Sequence, residues 1–115
     1  MGTALEDQRL DVLFTALSDR TRRDIVVRLS AGEATVKELA ERYAMSMQAV
    51  SQHIGVLERS GVISRGRHRQ TRPCRLEPAA LEVAVSWIEE SRRTWSERMD
   101  RLETRLAHVQ QRENQ

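Results

Sequence analysis

The amino-acid sequence predicts a mainly α-helical protein with one small β-hairpin and a long C-terminal helix. Apolar residues recur at helical spacing in four short segments before residue 60, each next to capping or turn residues. Two short apolar runs flank an arginine-rich loop that contains Gly66, a pattern typical of a hairpin. No residue between Ala79 and about Gln111 breaks a helix. At 115 residues the chain can bury one modest core, so we expect a single domain.

The composition excludes several classes of protein. The lone cysteine, Cys74, cannot form an intramolecular disulfide or a multi-thiolate metal site, which favours a reduced, cytoplasmic protein. No apolar run approaches the roughly 18 to 20 residues that span a bilayer, and the N-terminus lacks the pattern of a signal peptide. Glycine-rich phosphate loops, nucleophile elbows and HExxH motifs are absent from the sequence. We therefore expect no catalytic residues, no bound metal, no cofactor and no membrane partner.

Two helices are predicted in the first 30 residues. The first, of about eight to ten residues ending near residue 17, carries one apolar stripe formed by Leu10, Leu13, Phe14 and Leu17. The second runs from about residue 20 to 30, with Ser18 or Asp19 as its N-cap. Gly32 closes it.

The third and fourth helices form a close pair. Thr35 and Glu38 form a capping box, which predicts a short helix from about Val36 to Tyr43. After about three residues, Ser46 can cap a fourth helix that stops before Gly61. Its predicted inward face consists of Val50, Ile54 and Leu57.

Positive charge is concentrated in residues 59–75, although the net charge of the chain is only +2. This stretch contains six arginines and no acidic residue, while the rest of the chain carries 13 basic and 17 acidic side chains. Its strands are predicted over residues 62–65 and 72–76. Because Pro73 has no amide proton, the second strand should be an edge or be interrupted there.

The long helix repeats apolar residues at alternating spacings of four and three, a heptad pattern. At 1.5 Å per residue it would be about 50 Å long, more than a small domain can cover. A homodimer would bury this stripe, and the flanking charges fit either pairs between chains or pairs within the helix. The predicted dimerisation residues are Leu10, Phe14, Ile88, Trp95, Met99, Leu102 and Leu106.

Two helices joined by a short turn and followed by a basic hairpin indicate a winged helix-turn-helix over residues 8–78, with the dimerisation helix over 79–112. Double-stranded DNA is the expected partner. The fourth helix presents predicted base-reading residues opposite its inward face: Met47, Gln48, Ser51 and Gln52. The predicted contacts to the DNA backbone or minor groove are Ser46, Arg65, Arg67, His68, Arg69 and Arg72. A polar helix face that is merely solvated is the alternative interpretation of the fourth helix.

The arginine patch is also compatible with two different functions. It could belong to a dimeric interaction module that binds an acidic protein or RNA, or to a ligand-responsive activator.

Two single residues are interpreted as structural. Cys74 is interpreted as a buried structural thiol rather than a redox sensor. His53 is interpreted as a packing or hydrogen-bonding residue of the fourth helix.

The sequence resembles the ArsR/SmtB family of bacterial transcriptional regulators over about residues 8 to 106. The resemblance is carried by residues 17–25, 39–46, 49–57, 61–63 and 75–78. It implies a dimeric winged-helix repressor that binds an inverted-repeat operator and is released by a signal, here unknown. Three positions depart from the family pattern: Arg20 replaces a usual proline, Ala44 a common glycine, and Gly55 a usual lysine.

Metal sensing is not expected from this resemblance. Metal-sensing members carry paired cysteines in the third helix, where residues 33–39 of this chain contain none. Others place Asp and His ligands in the last helix, but His108 is its only histidine and lies near the end.

Overall fold

The computed structural model describes residues 3–67 and 71–114. The described elements follow in the order α1 (Ala4–Leu17), α2 (Arg20–Leu29), α3 (Val36–Ala40), α4 (Met47–Arg59), β1 (Ile63–Arg65), β2 (Cys74–Leu76) and α5 (Pro78–Glu113). The chain divides into two compact units, residues 1–84 and residues 85–115. The prediction of a mainly helical fold with one hairpin and a long C-terminal helix is confirmed.

Helix α1 is longer than its apolar stripe predicted, with 14 residues rather than eight to ten. The Thr3 hydroxyl accepts a hydrogen bond from the Glu6 amide at 3.2 Å, and the Glu6 carboxylate accepts one from the Thr3 amide at 3.2 Å. This capping box stabilises an exposed first turn, in which the apolar Leu5 is 63% exposed. The added turns are therefore a product of local capping.

Helix α2 begins after Asp19, one of the two predicted N-caps. The Asp19 carboxylate accepts a hydrogen bond of 3.0 Å from the amide of Arg22. That backbone hydrogen bond, opposed in part by desolvation, lowers the pKa of Asp19 below its ordinary value.

Helix α3 is shorter than predicted, and the prediction that it reaches Tyr43 is wrong. The capping box of Thr35 and Glu38 is present, but the helix ends at Ala40. Six residues, 41–46, therefore separate α3 from α4, where about three were expected. The amide of Tyr43 bonds to the Ala40 carbonyl at 3.3 Å, so the chain tightens to an i→i+3 turn there.

Helix α4 follows its predicted pattern. The Ser46 hydroxyl accepts a 3.1 Å hydrogen bond from the Ala49 amide. Val50, Ile54 and Leu57 are each at most 1% exposed. The helix ends at Arg59, and Gly61 takes a φ of 84° that favours glycine.

The hairpin is antiparallel, with Ile63 opposite Leu76 and Arg65 opposite Cys74. Its strands are shorter than predicted, because β1 begins at Ile63 and β2 at Cys74. Two features of the chain before Cys74 explain the late start of β2: Pro73 donates no hydrogen bond, and Arg72 has a left-handed φ of 29°. The interruption expected at Pro73 is confirmed.

The core of the first unit collects apolar residues from α1 to α4, the hairpin and the start of α5. Cys74 is fully buried, and its amide donates a 2.7 Å hydrogen bond to the Ala34 carbonyl on the side of β2 away from β1. The buried residues are Leu13, Ala16, Ile25, Leu29, Leu39, Val50, Ile54, Leu57, Val62, Ile63, Cys74 and Ala84. This packing determines which face of α4 points outward.

Candidate nucleic-acid interface

The outward face of α4 carries the side chains that were predicted to read bases. Gln48, Ser51 and Gln52 are exposed, and Met47 is 52% exposed. Burial of the opposite face against the core orients them toward solvent. We call these four residues, all on α4, the reading face. Their short polar, amide and thioether groups are suited to the edges of base pairs.

The N-terminus of α4 presents groups that can bind an anion. The Ser46 hydroxyl accepts a hydrogen bond from the Ala49 amide, yet retains a proton to donate to a phosphate oxygen. The first-turn amides of a 13-residue helix also carry the positive end of its dipole. Ser46 is exposed, so both groups are accessible.

The hairpin, or wing, places two of the predicted backbone-binding arginines at the surface. Arg67 and Arg72 are exposed. Arg65 is half-buried, and its Nε donates a 2.9 Å hydrogen bond to the Arg72 carbonyl, which braces the two sides of the wing. His68 and Arg69 lie outside the described residues.

Gly66 allows the two sides of the wing to approach closely. A Cβ at this position would lie 3.0 Å from Cδ and Cγ of Pro73. The Gly66 amide donates a 2.8 Å hydrogen bond to the Pro73 carbonyl. The glycine therefore sets the base of the loop that follows Arg65.

A polar cluster joins the turn before α4 to α2. The Tyr43 hydroxyl donates a 2.5 Å hydrogen bond to the Asp24 carboxylate, which also accepts one of 2.9 Å from Arg28 Nε. These two bonds, the one from Tyr43 first, lower the pKa of Asp24. Burial, followed by the nearby Asp24 carboxylate, raises the pKa of Tyr43. Sequence analysis missed this cluster, because 19 residues separate Asp24 from Tyr43.

Arg22 is a second connection that sequence analysis missed. Its Nε donates a 2.6 Å hydrogen bond to the Ala16 carbonyl, and its Nη2 donates one of 3.1 Å to the Thr15 carbonyl. Its Nη1 lies 3.2 Å from Nδ1 of His53 on α4. His53 is half-buried and lies 3.8 Å from the Asp19 carboxylate, as expected for a hydrogen-bonding residue. Arg22 thus caps α1 and supports α4.

Cys74 lies in the middle of the packed hairpin. Burial raises the pKa of its thiol, while the nearby Arg65 opposes the shift. A buried thiol with a raised pKa has little thiolate to react. This environment favours the interpretation of Cys74 as a structural residue.

The predicted dimerisation residues are largely uncovered. In the first unit, Phe14 is 38% exposed and Leu10 is half-buried. In the second unit, Met99 is half-buried, whereas four apolar side chains are exposed: Ile88, Trp95, Leu102 and Leu106. An apolar stripe of this length in water favours association.

The part of the chain that the structure describes holds no group of three or more His, Cys, Asp or Glu side chains that could bind a metal ion. Within the same residues, no helix combines the length and apolar character needed to cross a membrane.

A helix pair with an outward polar face, followed by a basic hairpin, defines the class of winged helix-turn-helix DNA-binding proteins. Residues 17–65 match a family described as "Helix-turn-helix domain". The chain is 33% identical over 76 residues to the transcriptional repressor SdpR of Bacillus subtilis (strain 168), an alignment that covers 66% of this chain and 84% of SdpR.

Two solved structures are similar over most of their length. The ArsR family transcriptional regulator RHA00566 matches with a TM-score of 0.76 and 34% identity, covering 84% of this chain and 97% of that one. An ArsR-like transcriptional regulator from Rhodococcus sp. RHA1 matches with a TM-score of 0.80 and 25% identity, covering 90% and 94%. The chain belongs to the ArsR/SmtB family of winged helix-turn-helix transcriptional regulators, and these relatives are regulators rather than enzymes.

Proposed function

We propose that this protein is a homodimeric transcriptional repressor that inserts α4 of each protomer into the major groove of an inverted-repeat operator. The exposure of the reading face of α4, directly before a basic wing in the same compact unit, is the observation that carries this proposal. Action on the operator would take place at the nucleoid. Similarity to the transcriptional repressor SdpR supports repression.

The reading face supplies sequence specificity in this proposal. The amides of Gln48 and Gln52 can each bind adenine through two hydrogen bonds, and the Ser51 hydroxyl can serve as donor or acceptor. Met47 offers an apolar contact to a thymine methyl group. All four side chains point away from the core, so they can meet base edges without unfolding the helix.

The wing supplies affinity that does not depend on sequence. Arg67 and Arg72 are exposed cations that can pair with phosphates, and Arg65, which braces the loop through Nε, forms no other side-chain hydrogen bond among the described residues. His68 and Arg69 belong to the same basic loop of the sequence. Ser46 and the first-turn amides of α4 add a phosphate contact of their own.

A homodimer would have the same two-fold symmetry as an inverted-repeat operator. The exposed apolar residues of α5 between Ile88 and Leu106 need a partner surface, and a second copy provides the same stripe. Two copies of α4 would then enter successive major grooves about 34 Å apart.

Binding to promoter fragments from the gene's own locus tests the proposal. A gel-shift assay should show a complex that forms preferentially on one fragment and weakens steeply as salt is raised, because phosphate contacts release counterions. Equal affinity for all duplexes would contradict the sequence-specific part of the proposal.

Two variants distinguish recognition of bases by α4 from binding of phosphates by the wing. Gln52→Ala should reduce discrimination between operator and scrambled duplex, by about 1 to 3 kcal/mol for each base that is no longer bound. Arg67→Ala should weaken binding to both duplexes equally and flatten the salt dependence. If the two variants behave alike, the assignment of roles is wrong.

Competition and transcription assays distinguish the two alternative functions. An interaction module would bind a folded RNA of equal charge as tightly as the operator duplex, so competition between the two nucleic acids identifies it. An activator would raise transcription from the bound promoter in a reconstituted assay, whereas a repressor lowers it.

A further inference from the structure

The middle of α4 contains a glycine that is not required by the backbone. Gly55 lies within a regular helix, and the glycines with positive φ among the described residues are Gly32 and Gly61. A glycine inside a helix lowers helix stability relative to alanine. What its missing side chain provides at this position is space.

The guanidinium of Arg59 fills that space. A Cβ on Gly55 would lie 3.1 Å from Nη1 of Arg59 and 3.8 Å from its Cζ, and the first of these distances is tighter than an ordinary contact. Arg59 therefore folds back by one turn and lies over the backbone of Gly55. Any larger residue at position 55 would push the guanidinium away.

This guanidinium lies on the same side of α4 as the reading face. At about 100° per residue, Gln48, Gln52, Gly55 and Arg59 fall within an arc of about 60° opposite Val50, Ile54 and Leu57. Gly55 is three residues beyond Gln52, about 4.5 Å further along the helix axis. Arg59 thus extends this face toward the C-terminal end of α4.

The Arg59 guanidinium has no protein acceptor among the described residues, although its charge in the last turn of α4 is favourable to the helix dipole. Within residues 3–67 and 71–114, it forms neither an ion pair nor a side-chain hydrogen bond, and the side chain is exposed. Arg22, Arg28, Arg65 and Arg75, by contrast, all bond to protein acceptors. The charge of Arg59 is available to a ligand.

We propose that Arg59 is an additional DNA-binding residue, whose guanidinium, seated over Gly55, binds a backbone phosphate at the border of the major groove that α4 enters. The proposal rests on the proposed function of α4. The planar fork of arginine can hold two phosphate oxygens at once. A groove about 12 Å wide brings a phosphate strand close to a helix inserted in it, so a group one turn beyond Gln52 lies within reach.

Fluorescence anisotropy with the selected promoter duplex and with a scrambled duplex tests this role. Arg59→Ala should weaken binding to both duplexes by about tenfold or more. It should also lower the slope of log affinity against log salt by about 0.9 for each phosphate that is no longer neutralised. Arg112→Ala, which removes an exposed arginine at the end of α5, serves as the control and should change neither quantity.

Gly55→Ala tests whether DNA binding depends on the position of the Arg59 guanidinium over Gly55. The added methyl group should raise or preserve the melting temperature, because alanine favours the helix. It should nevertheless weaken DNA binding, because the guanidinium is displaced. In an Arg59→Ala background, Gly55→Ala should cause no further loss of affinity.

Several results would overturn the proposal. Unchanged affinity and salt slope in Arg59→Ala, while Arg67→Ala weakens binding, would remove Arg59 from the interface and leave the proposed function intact. An equal loss from Gly55→Ala with and without Arg59 would show a clash with DNA rather than a displaced guanidinium. A loss confined to the operator, and dependent on one guanine, would show base reading instead of phosphate binding. If the wild-type protein binds no duplex, both proposals fail.

Discussion

Arg22 Nη1 lies 3.2 Å from Nδ1 of His53, so the first turn of α2 supports α4 directly. The same guanidinium bonds to the carbonyls of Thr15 and Ala16 at the end of α1. Helix ends leave such carbonyls without partners inside the helix, and arginine side chains can satisfy them. The position of α4, and hence of the reading face, therefore depends on a residue outside the helix-turn-helix pair.

Arg22→Ala should lower the free energy of unfolding by about 1 to 2 kcal/mol, because the Ala16 carbonyl and His53 lose their donor, whereas the Thr15 carbonyl keeps its hydrogen bonds from Ser18. Combined with His53→Ala, it should show an interaction energy of about 0.5 kcal/mol or more in a double-mutant cycle measured by urea unfolding. Arg23→Ala is the matched control, since Arg23 bonds only to the Leu17 carbonyl, at 2.8 Å, among the described residues. Additive effects of Arg22→Ala and His53→Ala would show that the two residues are not coupled.

Tyr43→Phe should lower the free energy of unfolding by about 1 kcal/mol at pH 7, because the Asp24 carboxylate loses its shortest hydrogen bond. The folded-state pKa of Asp24 is depressed, so its contribution is present above the unfolded value of about 3.9 and is lost as pH falls through the folded pKa. The difference in free energy of unfolding between wild type and variant should therefore decrease at acidic pH. Urea unfolding at pH 7, 5 and 3 measures it.

The acid dependence has a built-in control. Asp19 also has a lowered pKa, chiefly from a backbone hydrogen bond that Tyr43→Phe leaves in place. The variant should accordingly retain part of the wild-type pH dependence. An unchanged difference between the two proteins at pH 7 and pH 3 would contradict the assignment to Asp24.

Leu102→Glu and Leu106→Glu together should convert the protein from dimer to monomer and weaken operator binding by more than tenfold. Two carboxylates would have to be buried in an apolar interface, which costs several kcal/mol. Sedimentation equilibrium measures the association state. Val27→Glu is the control: Val27 is 66% exposed on α2, and the substitution should leave association unchanged. A monomeric wild-type protein would contradict the dimer.

Cys74 should react slowly with a disulfide reagent in the native protein and rapidly in urea, because its thiol is buried and its pKa is raised. Thiol titration with a chromogenic disulfide follows both rates. An exposed reference thiol is obtained with Thr71→Cys in a Cys74→Ala background, since Thr71 is exposed. A native Cys74 that reacts as fast as this reference would favour a redox role.

Much of the fold follows from local patterns. Val50, Ile54 and Leu57 repeat at helical spacing and are buried, and the caps at Asp19, Thr35 and Ser46 form as their residue types predict. These features depend on residues within a few positions of one another. The exposure of Gln48, Ser51 and Gln52 follows from the same periodicity, because burial of one helix face exposes the other.

The boundaries of the helices and strands were less predictable from the sequence. Helix α3 ends at Ala40, where the side chain of Tyr43 turns toward Asp24, and no local signal marks that contact. Strand β2 begins at Cys74, after the left-handed Arg72 and after Pro73, which donates no amide hydrogen bond. Pro73 marks this second boundary in the sequence, whereas the end of α3 has no such local marker.

The sequence by itself determined the order of the helices, the basic hairpin and the polar face of α4, because each arises from spacing, caps and charge along a short segment. Only the tertiary structure showed that Arg22 supports α4 through His53, that Tyr43 is held by Asp24, and that Arg59 remains unpaired among the described residues. An arginine is the same residue in the sequence whether its guanidinium bonds to a carbonyl or faces solvent. Its role is decided by which acceptors the folded chain brings within about 3 Å of it.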